Sequence, residues 1–208
     1  MTQVNSTFIT MLNPTQRDLF AGAEENSLPR PEIRYLANQI PDHETYFTYL
    51  RDRVDWNCRF KSRRTVTFGE SYNYRSETTI NRELPAFINP FCDVVFQQFD
   101  FRPNNCLVNY YPDGEHYISF HSDQDTEMKD HTGVAIFSLG TMREMVLRYI
   151  SAPTLRYVYP LEPGSVFYMS DELQSEWQHG IPKQSGRGPR ISLSFRSLRV
   201  SKENDLNG

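Results

Sequence analysis

The period of the apolar positions changes partway along the chain. From residue 105 onward they fall in short or alternating runs, at 106–111, 117–121, 133–139, 144–150, 154–159, 165–169 and 190–197. Turn signals such as Pro112-Asp113-Gly114 and Glu162-Pro163-Gly164 separate the runs. Many short strands at this spacing predict a β-sandwich or jelly roll rather than a parallel α/β sheet. Upstream the period is helical. Tyr46, Tyr49, Leu50 and Val54 predict a helix within 42–55, with Asp42 as its cap. After Leu84, Phe87, Phe91, Val94, Val95 and Phe99 form one apolar stripe, with Pro85 at a first-turn position. Both stripes read as core. The expected fold class is therefore α+β, a jelly roll with N-terminal helices buttressing one sheet face. Residues 1–30 are polar and irregular and are expected to form an arm, 31–200 one domain, and 201–208 a frayed tail.

Composition narrows the function classes. The 208 residues are 38% hydrophobic and 23% charged, enough apolar side chain for a real core. No apolar run approaches the ~18 residues of a membrane span, and the N-terminus lacks a basic start leading into an apolar stretch. Three scattered cysteines, Cys58, Cys92 and Cys106, form no CxxC and suit a reducing compartment. A soluble, intracellular monomer without membrane partners is expected. The net charge of −4 argues against a globally basic nucleic-acid binder. Its distribution is uneven, however. Between Arg51 and Arg75 seven basic residues face three acidic ones, a local +4 that leaves −8 for the rest of the chain. Such a window is either a solvated loop or a seat for phosphates.

The chemistry centres on two of the five histidines. His121-Ser122-Asp123 ends an apolar run, and residues two apart in an extended chain point the same way. His121 and Asp123 can thus present an imidazole and a carboxylate to one ion. His179, in Trp177-Gln178-His179-Gly180, lies 58 residues on and can supply a third ligand from a distant strand. Two histidines and a carboxylate occupy one face of an octahedron and leave positions open, which suits non-heme Fe(II); zinc accepts the same ligands. Two further features point to an acidic co-substrate. In Arg190-Ile191-Ser192-Leu193-Ser194-Phe195-Arg196 the apolar residues share one face, and Arg190, Ser192, Ser194 and Arg196 share the other. Paired guanidiniums flanking hydroxyls can cradle a dicarboxylate. Asn109 and Tyr111 likewise share a face and can add hydrogen bonds.

In this order, Asn109-x-Tyr111, His121-x-Asp123-x-Asp125, His179 and Arg190-x5-Arg196 resemble the AlkB family of Fe(II)- and 2-oxoglutarate-dependent dioxygenases over roughly residues 30–198. Trp177-Gln178-His179-Gly180-Ile181-Pro182 and the last strand are most similar to the branch acting on alkylated bases. The resemblance implies a double-stranded β-helix, iron held by His121, Asp123 and His179, and 2-oxoglutarate held by Arg190 with Asn109 and Tyr111. It places Arg196 near the iron-bound end and Ser192 and Ser194 in the same pocket, with Ser192 standing where the family often has Asn. Asp125 matches the acidic residue that reads the target base. The implied reaction consumes O2 and 2-oxoglutarate, yields succinate and CO2, and hydroxylates an N-methyl group that then leaves as formaldehyde.

The segment from Thr65 to Arg75 resembles the family's nucleotide-recognition lid. Tyr72 and Tyr74 are its candidates to stack on an extruded base. Arg59, Lys61, Arg63 and Arg64 lie just upstream and can meet phosphates. Only eleven residues separate Trp56 from Phe68, too few for the longer duplex-probing hairpin of some members, so single-stranded substrates are expected. The expected activity is oxidative demethylation of bases such as 1-methyladenine and 3-methylcytosine in DNA or RNA. Alternatives are an RNA N6-methyladenine eraser, a dioxygenase acting on protein or a small molecule, and a binding module without turnover.

Overall fold

A computed structural model describes residues 11–12 (backbone only), 28–70, 83–123 and 128–199. Its strands are β1 (Met11–Leu12), β2 (Ile33–Leu36), β3 (Arg64–Gly69), β4 (Asn105–Tyr111), β5 (Ile118–His121), β6 (Gly133–Gly140), β7 (Arg143–Tyr149), β8 (Arg156–Leu161), β9 (Val166–Ser170), β10 (Trp177–Ile181) and β11 (Arg190–Arg196). The helices are α1 (His43–Arg53), α2 (Asn89–Phe99) and the short α3 (Leu173–Glu176).

The strands form two sheets in which every pairing is antiparallel, six strands in the order β2-β9-β6-β11-β4-β3 and five in the order β1-β8-β7-β10-β5. This is the double-stranded β-helix that the strand spacing and the motifs implied. The six-stranded sheet is covered on both faces, so its central strands are apolar or buried throughout. Ala135, Phe137 and Leu139 of β6 and Ile191, Leu193 and Phe195 of β11 face the helices, where Leu50, Phe91 and Val95 meet them. The opposite face of β6, with Val134 and Ile136, packs on Leu147, Tyr157 and Trp177 of the smaller sheet. Burying one such side chain contributes about 1.5–3 kcal/mol. The aromatic stripe of α2 docks by edge contacts, with Phe91 centred 5.1 Å from Phe137 and 4.9 Å from Tyr46.

Several local details differ from the sequence reading. Asp42 makes no side-chain capping bond to α1, and Tyr49 is 46% exposed, so only Leu50 of that stripe is fully buried. Pro85 precedes a 3-10 turn over Ala86–Ile88, and the first-turn proline of α2 is Pro90. The segment that resembles the recognition lid, from Thr65, opens as part of strand β3, which pairs along β4 from Tyr110 to Asn105. Ile33–Leu36, unassigned from sequence, adds an edge strand on β9. Within the segment expected as an arm, Met11–Leu12 pairs with Val158 and Tyr157 of β8. Among the described residues no helix is long and apolar enough to cross a membrane.

Candidate active site

A cavity of about 490 Å³ opens between the sheets. Its polar lining is set by strand alternation. On β11, Ile191, Leu193 and Phe195 are committed to the helix side, so Arg190, Ser192, Ser194 and Arg196 project into the gap. All seven residues of β11 are buried, so its polar face does not lie in water. On β4 the same rule delivers Asn109 and Tyr111, and on β3 Thr65 and Thr67.

β10 lies between β7 and β5, and its register sets His179 directly opposite His121. Their ring centroids are 4.3 Å apart. Asp123 follows two residues after His121, and the ligand atoms of His121, Asp123 and His179 all lie within 4.8 Å of one another. Two ligands each ~2.1 Å from one ion are at most ~4.2 Å apart, so small side-chain rotations close the set. His121 Nε2 is already 3.8 Å from Asp123 Oδ1. The other ring nitrogen, Nδ1, lies 2.9 Å from the Ser119 carbonyl. A carbonyl only accepts, so Nδ1 carries the proton and Nε2 keeps its lone pair for an ion. His179 is buried, and its Nδ1 has no hydrogen-bond partner among the described residues.

Asp123 divides its oxygens between two tasks. Oδ2 accepts a hydrogen bond from Arg196 Nη2 at 2.9 Å, and Oδ1 is left facing the imidazoles. Its backbone N–H donates to Gln174 Oε1, also at 2.9 Å. Burial alone would raise the carboxyl pKa, but Arg196, His179 and His121 together outweigh it and hold the group at about 2. Burial pulls His179 down to about 4 despite the attraction of Asp123, so it stays neutral and able to ligate.

The co-substrate end is built around Arg190, only 1% exposed. Its Nη2 donates to Ser138 Oγ at 2.9 Å, and its guanidinium carbon lies 5.4 Å from the Tyr111 ring centroid. Nε and Nη1 make no well-formed hydrogen bond among the described residues. Burial lowers its pKa to about 10, so it remains a cation at neutral pH. A buried cation with two N–H groups that lack a well-formed acceptor is unfavourable unless an anion meets it. A carboxylate of 2-oxoglutarate fits that need, and the donor set of His121, Asp123 and His179 fits Fe(II).

Of the sequence-derived candidates, this one cavity collects Arg63, Asn109, Tyr111, His121, Asp123, His179, Arg190, Ser192, Ser194 and Arg196. Arg63 was expected at phosphates. It lines the cavity, half-buried, with Nε donating to Asn109 Oδ1 at 2.8 Å. Arg64 is not brought to the site. One residue along β3, it points to the opposite face, 5.6 Å from the Tyr110 ring. Tyr72, Tyr74 and Asp125 lie outside the described residues. The sequence reading missed Ser138, Gln174, Phe60 and Tyr117. The last two are exposed aromatics at the cavity edge, 43% and 37% accessible. Exposed aromatics give no periodic signal, and the two polar supports depend on pairings distant in the chain.

A double-stranded β-helix enclosing two histidines and an aspartate beside a buried, anion-seeking arginine defines the class of non-heme iron oxygenases that use an acidic co-substrate. Comparison with known proteins agrees. The model of the 2OG-Fe(II) oxygenase superfamily matches residues 13–196, and the chain belongs to that family, in its AlkB branch. It is 30% identical over 191 residues to human DNA oxidative demethylase ALKBH2, covering 84% of this chain and 72% of that protein. It is 31% identical over 104 residues to the mouse alpha-ketoglutarate-dependent dioxygenase alkB homolog 3, covering 46% of this chain and 36% of that one. Among solved structures, OsALKBH1 superposes with a TM-score of 0.61 over 82% of this chain and all of that one, at 16% identity, a likeness of fold. The protein is a dioxygenase that uses Fe(II), 2-oxoglutarate and O2.

Proposed function

We propose that the protein removes N-linked methyl groups from nucleobases of DNA or RNA, acting by preference on single strands. The observation that carries this is the shared cavity. Ion ligands and a dicarboxylate seat meet there, in a chain related along most of its length to a DNA oxidative demethylase. Bound iron supplies oxidation of an unactivated C–H bond, with 2-oxoglutarate and O2 converted to succinate and CO2 and the methyl carbon released as formaldehyde.

The chain's own residues position and exclude. His121, Asp123 and His179 hold the metal, with Arg196 locking the Asp123 rotamer. Arg190 meets the distal carboxylate, with Ser138 fixing the guanidinium and Asn109, Tyr111, Ser192 and Ser194 lining the pocket. Arg63 steadies Asn109. Ile136, Met145 and Ile181 form apolar walls that keep water from the reacting methyl. Tyr72, Tyr74 and Asp125 are assigned to the extruded base by their match to the family pattern, and an intracellular location follows from its chemistry.

The strand preference is supported by the segment before β3. Asn57 and Thr65 exchange both backbone hydrogen bonds, 2.9 and 3.0 Å, closing a loop too tight to carry a long probing hairpin. The test compares 1-methyladenine and 3-methylcytosine oligonucleotides, as DNA and RNA, single-stranded and annealed, following formaldehyde and succinate. Single strands are expected to turn over fastest. Faster duplex repair overturns the strand preference. Succinate release that peptides stimulate and methylated oligonucleotides do not overturns the substrate class. Turnover confined to N6-methyladenine RNA transfers the assignment to an RNA eraser.

A further inference from the structure

The outer face of the smaller sheet carries a charge arrangement that the reaction site does not use. Arg148 of β7 and Arg156 of β8 stand directly opposite each other in the register. Their neighbours Leu147 and Tyr157 are buried between the sheets, so both arginines point outward. Like charges in directly opposed positions are unfavourable. Here neither guanidinium has a carboxylate within 4.0 Å among the described residues. This is so in a chain with 26 acidic residues against 22 basic. Both guanidiniums instead converge on one ring, that of Phe120, at 4.1 and 5.5 Å from its centroid. Gln178 of β10 accepts from Arg148 Nη2, and the Pro153 carbonyl accepts from Arg156 Nε at 3.1 Å. The cations are thus held in place by stacking and by neutral acceptors, and no carboxylate among the described residues compensates their charge.

Phe120 connects this face to the cavity. It precedes His121 on the edge strand β5, and it also lines the cavity. A chain whose base enters the cavity across β5 meets Phe120 and the two arginines as it leaves. We propose that Arg148, Arg156 and Phe120 form a seat for the sugar-phosphate backbone of the nucleic acid, reading phosphate charge and no sequence. This rests on the nucleic-acid reading of the cavity and deepens it.

The test is anisotropy of a fluorescein-labelled, unmethylated 12-nucleotide single strand, with wild type and with Arg148→Gln, Arg156→Gln and the double variant. Each single change is expected to weaken binding roughly three- to tenfold and to lower the slope of log K against log salt by about 0.7. The kcat on a saturating methylated 12-mer and the KM for the free methylated nucleoside, which carries no phosphate, are expected to stay unchanged. Because the pair repels, the melting temperature of the double variant is expected to equal or exceed that of wild type. Unchanged Kd and salt slope overturn the seat, as does binding of poly-glutamate at this face with no arginine-dependent binding of the oligonucleotide. Arginine-dependent binding without demethylation of any methylated oligonucleotide leaves the seat standing and removes the demethylase reading.

Discussion

Asp123 serves metal binding and folding at once, and the two can be separated by substitution. Its side chain and that of Arg196 are 4% and 5% exposed, and each is the other's charge partner. Asp123→Ala removes the carboxylate and leaves Arg196 charged in the inter-sheet gap, a loss expected at about 3–5 kcal/mol. Asp123→Asn keeps the shape and one acceptor for Arg196 but not its countercharge, so it should melt between wild type and Asp123→Ala while losing Mn(II) binding by calorimetry. His121→Ala is milder still for the fold, because His121 is only half-buried. It is expected to abolish turnover and metal binding with a melting temperature near wild type. The pairing of His121 with Asp123, and the division of β11 into an apolar and a polar face, were legible because both follow from the two-residue period of a strand. Gln174 and Ser138 were not. Each touches the site across 51 or 52 residues of chain, and nothing local to either residue announces it.

Among the connecting elements, Arg143 holds the mouth of the fold together. It is fully buried at the start of β7 and donates to the carbonyls of Asp113, His116 and Pro182 at 3.1, 3.0 and 2.6 Å, and to Gln184 Oε1 at 3.0 Å. One guanidinium thereby ties the turn between β4 and β5 to the segment after β10. Those are the connections that carry Tyr111 into the co-substrate pocket and His121 into the metal set. Arg143→Met leaves several carbonyls without a donor, at about 1–3 kcal/mol each where no water reaches them. The expected outcome is a lower melting temperature together with a raised KM for 2-oxoglutarate. Arg143→Lys should restore only part, since an ammonium cannot reach four acceptors arranged around a planar fork. A melting temperature unaffected by Arg143→Met would show that the turns hold without it. Read from sequence, Arg143 is one charged residue in an alternating strand. Its role comes from the two loops that pack around it, and the strand β3 is likewise a product of its neighbours. The residues 64–69 alternate weakly, and they become a strand because β4 offers an open edge.

At the scale of the whole molecule, the interior carries an excess of positive charge. Among the described residues the buried charged side chains are three guanidiniums, Arg143, Arg190 and Arg196, and one carboxylate, Asp123. Arg196 is answered by Asp123 and Arg143 by carbonyls and an amide, which leaves Arg190 with Ser138 and the Tyr111 ring. The cavity between the two sheets thus carries a buried cation that a dicarboxylate would neutralise, so folding and co-substrate binding are linked. A ligand at 100 times its Kd stabilises by about 2.7 kcal/mol. For a chain of this size that is roughly 5–10 °C in Tm. Succinate or 2-oxoglutarate with Mn(II) should therefore raise the melting temperature by that amount in the absence of O2. The shift should hold from about pH 7 to 9 and be lost as pH rises past about 10, because the bound dianion favours the protonated guanidinium and burial has lowered Arg190 to about 10. Arg190→Met fills the same volume without charge, so its unliganded form should melt at or above wild type while the ligand-induced shift disappears. A full shift retained by Arg190→Met would place the dicarboxylate elsewhere in the cavity.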